Sequence, residues 1–517
     1  MSPRAHKRRL LIAGAASASV LATLGALPAL AAPTVPAPDP VALMSEYDDY
    51  WTPSPYDKAD PSTGFRGDVV DPVMLGANDD ILVAINHAGA ADETQSHRAL
   101  IDADYDWKQT LPDALGPVLG AYFSEGVADG SLPLTTGVID SVGAQAGTGE
   151  AKPHYNFPRP FLDDRSLGGE NDLEGLQANL GIAEIPDWTD PATGKTHTAS
   201  YQSMIDGVSQ AFPSGHTTYA YSVGFALATL MPQLAPEIIT RSSEAGNNRI
   251  VLGVHYPLDV MGGRILGEAG VSHLLSDDDY VASAIEPAQQ ELAEYLTERC
   301  AEDGHGDTFE ACLDSLGAND AGGYANAFTD AVSTAPVTDR ASALAAYRAR
   351  MTYGFGQVGT PGQAARVPAG AESLLVTAFP TLTGEQRAAV LAATEIDSGF
   401  PLDSSSDGWQ RLDLAAATSS KVTLDAAGAV VSVEPGQPAA SVVTEQPEPT
   451  PSQGSTAPTS PAPTSPASQT PAETATARAP GKLADTGADL QAAAPIALML
   501  VLVGGAAARA ARRRSAS

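Results

Sequence analysis

Positive charge is scarce in this 517-residue chain: 29 Lys and Arg stand against 62 Asp and Glu, a formal net charge of −33. So acidic a chain argues against nucleic acid or an anionic membrane surface as partner. Cysteine is nearly absent. Only Cys300 and Cys312 occur, and neither sits in a metal-site pattern, which leaves no thiolate metal site to propose. No apolar run between residues 32 and 480 is long enough to read as a membrane span.

Against that background the ends stand out. Residues 1–31 read as a secretory signal, with Arg4, Lys7, Arg8 and Arg9 at its start, an apolar centre from Leu10 to Leu27, and Ala29-Leu30-Ala31 as a small-x-small cleavage site. An uncleaved anchor is the alternative. Export favours a disulfide between Cys300 and Cys312 over two free buried thiols, although spacing alone does not fix pairing. Residues 435–482 are Pro, Thr, Ser, Ala and Gln with few large apolar side chains, a composition that cannot bury enough surface to fold and reads as a disordered linker.

The chain is organised around AFPSGHTT, residues 211–218. Pro213-Ser214-Gly215 before a long apolar run reads as a helix start with Ser214 as N-cap. Free backbone N–H groups there favour an anion, and Gly215 lets it approach closely. His216 falls in the first turn. Upstream, KPHYNFPRP gives Lys152, then six residues, then Arg159 and Pro160. Downstream, NNRIVLGVHYPLDV places Arg249, then five residues, His255, then three residues, Asp259. Pro257 reads as the first residue of a second helix, with His255 just before it. Asp259 is then within reach of the His255 ring, where a carboxylate fixes the tautomer and leaves the other nitrogen free to attack.

These three blocks resemble the signature of the type 2 phosphatidic acid phosphatase superfamily, K-x6-RP, PSGH and SR-x5-H-x3-D, over roughly residues 150–265. Secreted class A acid phosphatases, membrane lipid phosphatases and vanadium haloperoxidases share that signature. Asn248 stands where the family usually has Ser. The resemblance implies phosphomonoester hydrolysis without a metal or other cofactor. Lys152, Arg159 and Arg249 would hold the phosphoryl oxygens, with Ser214 and the Gly215 amide as further donors. His255 would attack phosphorus, Asp259 would orient it, and His216 would protonate the leaving oxygen and then activate water. Three alternatives share these residues: a haloperoxidase holding vanadate in the same pocket, a lipid or diphosphate phosphatase, and an inactive wall-displayed binding protein.

The fold class expected is all-α. A helical phosphatase-like bundle covers residues 32–280, including helices over 214–231, 236–252 and 257–275, with Gly262, Gly263 and Gly267 allowing close helix contacts. Within it, residues 161–200 read as a long loop region that shapes access to the site. Tyr105 and Trp107 are candidates for a substrate mouth, with core packing the default. His87, Asp92 and His97 match no helical face that would gather a metal. Residues 281–434 read as amphipathic helices followed by a hairpin around Ala-Ala-Gly, without a catalytic constellation, similar to C-terminal extensions on secreted bacterial members of the family. Residues 483–517 close the chain. Leu483-Ala484-Asp485-Thr486-Gly487, an apolar run from Ala492 to Ala508, and Arg509, Arg512, Arg513 and Arg514 resemble an LAxTG-type sortase signal of high-GC Gram-positive bacteria. That resemblance implies sortase and peptidoglycan as partners and a cell-wall location, with a plain membrane anchor as the alternative.

Overall fold

A computed structural model describes residues 34–163, 179–328 and 335–445. The secretory signal, the linker beyond residue 445 and the sorting signal lie outside the described residues.

Short polar caps and prolines set most helix starts. After a hairpin of β1 (Trp51–Pro53) and β2 (Gly67–Val69), Asp71 accepts the Val73 and Met74 amides at the head of α1 (Pro72–Ala90). Asp92 does the same for Thr94 and Gln95 at the head of α2 (Glu93–Asp102). Next come α3 (Trp107–Thr110), α4 (Gly116–Asp129), α5 (Pro133–Gln145) and α6 (Ala151–Tyr155). A small antiparallel pair, β3 (Trp188–Thr189) and β4 (Thr196–His197), and α7 (Tyr201–Asp206) precede three long helices. These are α8 (Gly215–Leu230), α9 (Ala235–Val251) and α10 (Pro257–Leu275).

Helix α8 is apolar on all sides because neighbours cover all its sides. Helices α5, α9, α10 and α12 (Glu286–Glu302) pack against it, and every residue from Tyr221 to Leu230 is buried. Glycine permits the closest approaches. A Cβ on Gly224 would fall 1.8 Å from Ser242 Oγ of α9, and one on Gly263 of α10 would fall 2.6 Å from the Ser214 carbonyl oxygen. Among the described residues, no helix is long and apolar enough to cross a membrane.

Helix α9 is buried along its whole length yet carries Glu237, Arg241, Glu244, Asn247, Asn248 and Arg249. Burial of charge is tolerable only with partners. Arg241 meets Asp102 at 2.6 Å, and Arg98 of α2 meets Glu244. Arg340 meets Glu237 at 2.7 Å, from the first residue of α14 (Arg340–Thr352).

The C-terminal region joins the same core. After α11 (Asp278–Tyr280) and α12, Cys300 and Cys312 form a disulfide that ties α12 to α13 (Phe309–Leu316), with Cα atoms 5.8 Å apart. Beyond α14 come α15 (Gly384–Thr394) and α16 (Leu414–Thr418). Tyr347 of α14 donates to Glu268 of α10 at 3.0 Å, and Arg264 of α10 donates to the Gln410 carbonyl at 2.9 Å. One compact unit therefore runs to Pro449, with no division near residue 280. The expected hairpin is β5 (Lys421–Leu424) against β6 (Val430–Glu434). A third strand, β7 (Ser441–Thr444), runs parallel to β5 inside the stretch that reads as linker. Its Ser-Val-Val-Thr run supplies the β-branched residues that the rest of that stretch lacks.

Candidate active site

Each of the three sequence blocks delivers side chains to one place. The PSGH segment enters α8 with Ser214 as N-cap, its Oγ accepting the Thr217 amide at 3.3 Å. The Ser214 amide donates to the Asp259 carbonyl at 2.9 Å, which fastens the head of α8 to the head of α10. Lys152, on α6, donates its Nζ to the Gln210 carbonyl and, at 3.1 Å, to that of Ala211. Arg159 donates Nε to the Ser209 carbonyl at 2.7 Å, Nη2 to Ser209 Oγ at 3.0 Å, and Nη1 to the Val254 carbonyl at 2.7 Å.

The two histidines have opposite tautomers. Arg159 Nη1 lies 2.8 Å from His255 Nε2. A guanidinium only donates, so Nε2 holds a lone pair and the proton is on Nδ1. That proton goes to Asp259 Oδ2 at 2.9 Å, which also accepts the Tyr256 amide at 2.9 Å. His216 Nε2 lies 3.2 Å from the Ala103 carbonyl. A carbonyl only accepts, so here Nε2 carries the proton.

Arg249 completes the group. Its side chain is 1% exposed, yet none of its three side-chain nitrogens has a hydrogen-bond partner among the described residues. Buried polar groups are ordinarily paired, and a buried guanidinium with no acceptor is a strong mark of an anion site. Lys152, Arg159, Arg249, Gly215, His216 and His255 line a common cavity of about 260 Å³.

The electrostatics follow from crowding cations in a dry place. Burial pushes Arg249 down to about 9, helped by Arg159. Burial also takes Arg159 down to about 10, against the pull of Asp259. Lys152 is pushed down by burial first and then by Arg159. His216 and His255 lie well below the usual imidazole range, from burial first and the surrounding cations next. Burial lifts Asp259 to about 7.

Several contributors carry no signal in the sequence. Ser203 and Met204 of α7 form a wall of the cavity, together with Ala199 and Ser200 at the end of the loop region expected to shape access. The Ala103, Gln210 and Ala211 contributions are backbone carbonyls, which any residue supplies. Asn248 donates to Asp102 at 2.7 Å, so the Asn in the Ser position fastens α9 to the end of α2. Of the two aromatic candidates, Tyr105 sets its ring edge-on to His216, with centroids 5.0 Å apart. Trp107 is buried and donates to Asp140 at 2.7 Å. His87, Asp92 and His97 are apart in role: His87 meets the Gly181 carbonyl at 3.0 Å, Asp92 caps α2, and His97 stacks on Trp188.

Residues 134–279 match the PAP2 superfamily. An acid phosphatase of Zymomonas mobilis subsp. mobilis is 32% identical over 150 residues, 29% of this chain and 45% of that protein. A non-specific acid phosphatase of Salmonella typhi is 34% identical over 182 residues, 32% of this chain and 59% of that protein. Its counterpart in Salmonella typhimurium is 25% identical over 179 residues, again 32% and 59%. The chain thus spans about half the length of these relatives. Lys152, Arg159, Ser214, His216, Arg249, His255 and Asp259 all fall inside the segment similar to the PAP2 superfamily, and acid phosphatases are among the chain's relatives.

Proposed function

We propose that this protein hydrolyses phosphomonoesters through a phosphohistidine at His255, without a metal. The observation that carries the reading is Arg249, buried with no acceptor for its guanidinium among the described residues, beside a histidine whose Nε2 holds a lone pair. Lys152, Arg159 and Arg249 bind the non-bridging phosphoryl oxygens and neutralise their charge as the transition state forms. The Gly215 amide at the head of α8 adds a donor.

His255 Nε2 attacks phosphorus, and the P–O bond to the leaving group breaks with its electron pair on oxygen. His216 gives that oxygen a proton. Asp259 holds the Nδ1–H and stabilises the positive ring of the phosphohistidine. In the second half His216 takes a proton from water, water oxygen bonds to phosphorus, and the P–N bond breaks to release phosphate. A bound phosphoryl dianion offsets the three cations that depress His216, so the proton it needs arrives with the substrate.

We further propose that the protein is exported and held at the cell wall by its LAxTG-type end. The Cys300–Cys312 disulfide supports export, because such bonds persist in oxidising surroundings.

The test of the reaction is a rapid denaturing quench at alkaline pH of the wild-type protein with a ³²P-labelled aryl phosphate, alongside His255→Ala. Acid-labile label on His255, and no turnover in the variant, are expected. A variant that retains near-normal turnover would refute the assignment. Vanadate should compete with substrate, since its five-coordinate form resembles the phosphoryl transition state. Vanadate-dependent halide oxidation with no phosphate hydrolysis would reverse the choice of reaction.

A further inference from the structure

Three consecutive residues, Ala103, Asp104 and Tyr105, surround the His216 ring or anchor what does. The Ala103 carbonyl accepts from Nε2 at 3.2 Å. The Tyr105 ring stands edge-on to it, stacked in turn on Tyr219 with centroids 3.9 Å apart. Tyr105 holds this place at φ 60°, a conformation side chains other than glycine adopt at some cost.

The same tripeptide is tied down from both sides. On one side, Asp102 is gripped by Arg241 and Asn248 of α9. On the other, Asp104 Oδ2 receives His197 Nδ1 at 2.7 Å and Lys195 Nζ at 2.7 Å, both from the β3–β4 hairpin. His197 is 2% exposed. The hairpin is itself pinned to α2, with Trp188 stacked on His97 at 4.1 Å and facing His197 at 5.5 Å.

We propose that Asp104 and His197, with Lys195, are positioning residues for the proton-transfer step, and that by fixing the Ala103 carbonyl they make Nδ1 the working atom of His216. The proposal rests on the phosphatase reading for its chemistry. With Nε2–H engaged by a carbonyl, a neutral His216 has only Nδ1 free to gain a proton. In the first step the Nδ1–H bond breaks and the proton passes to the leaving oxygen as the P–O bond breaks. In the second, a water proton forms Nδ1–H again as the water oxygen bonds to phosphorus. Loss of the tether lets the Ala103 carbonyl shift, frees the ring to turn, and admits the tautomer with the proton on the wrong nitrogen. The residues reach no substrate themselves; their effect passes through the loop.

Two measurements test this on the whole protein. Long-range ¹H–¹⁵N spectra of histidine-labelled protein, with His216 assigned by its absence in His216→Gln, report the tautomer without reference to turnover. The Nε2–H form is expected for His216 in the wild type, and a mixture in His197→Ala. An Nδ1–H form in the wild type overturns the proposal. Steady-state kinetics supply the second arm. In His197→Ala and Asp104→Asn, kcat on an alkyl phosphate should fall on the order of 10-fold more than on 4-nitrophenyl phosphate, because only the alkoxide needs a proton. His197→Asn, which keeps a donor near the Nδ1 position, should recover most of that difference. Should His197→Ala not fold, Lys195→Met carries the comparison, since that side chain is 46% exposed. Equal losses on both substrates, with the tautomer unchanged, overturn the proposal. A wild type inert on every phosphate ester would instead sink the phosphatase reading, and the spectra would still decide the tautomer.

Discussion

Arg249 shows what a binding site demands of a fold before ligand arrives. A guanidinium with no acceptor among the described residues, 1% exposed and flanked by Arg159, is a charge the folded state holds at a penalty. Arg249→Met should therefore raise the melting temperature of the ligand-free protein, by an equivalent of about 1–4 kcal/mol, while lowering kcat/KM by about 10²- to 10³-fold. A variant that is both less stable and inactive would mean that Arg249 has a structural acceptor. His216 gives a second residue-level expectation. In the free protein its pKa is lowered, by burial first and then by Arg249, Arg159 and Lys152 among the charges. A bound dianion cancels those charges and raises it, so the complex holds more protons than the free protein, and affinity rises as pH falls through the interval between the two values. Asp259, already lifted to about 7 by burial, moves the same way beside an anion. Sulfate, which does not titrate near neutrality, makes a clean probe: calorimetry in two buffers of different ionisation enthalpy should show proton uptake on binding, and its absence would contradict this account.

At the scale of elements, the site is a meeting of helix heads. The head of α8 carries Ser214, Gly215 and His216, the head of α10 carries Asp259 with His255 just before it, and the end of α9 brings Arg249. What holds the first two together is close backbone approach at Gly263, where a Cβ would lie 2.6 Å from the Ser214 carbonyl. Gly263→Ala should cost about 1–3 kcal/mol and, by displacing the PSGH turn, lower kcat more than loss of folded protein explains; denaturation and active-site titration separate the two effects. Much of this is legible in the chain. Ser214 before an apolar run and Pro257 after Tyr256 mark helix starts by local chemistry, and α8 and α10 begin where those residues imply. Helix α8 can be read as buried from its lack of a polar face. Helix α9 cannot, since Glu237, Arg241 and Glu244 look like a solvated face until their partners on α2 and α14 are known. The same limit hides Asp102 and Asp104, which are ordinary acidic residues in sequence and become anchors only through partners 139 and 93 positions away. Strand β7 escapes a sequence reading because four residues in a Pro- and Ser-rich stretch carry little pattern, and its pairing with β5 is a tertiary event.

On the scale of the whole molecule, one compact unit runs to Pro449. The C-terminal region shares the core of the helical bundle through Tyr347, Glu268, Arg264 and Gln410, so a truncation near residue 280 should not yield a folded protein. Its disulfide closes a span of 12 positions between α12 and α13, which by loop-closure entropy stabilises by about 2–4 kcal/mol. That gain exists only where the bond persists, which is outside the reducing cytosol. The proposed export would therefore place folding where the bond can form and last. Beyond Thr444, Pro, Thr and Ser dominate up to Leu483-Ala484-Asp485-Thr486-Gly487, enough chain to carry the folded unit clear of a surface. If a sortase processes this end, cleavage falls between Thr486 and Gly487, and the apolar run with its arginines is lost. Protein released from walls by a muramidase should then end at Thr486 joined to a peptidoglycan fragment, a mass readily distinguished from the intact chain. Recovery of peptides containing Arg512 to Arg514 from mature protein in the membrane fraction would show instead that the apolar run stays as an anchor.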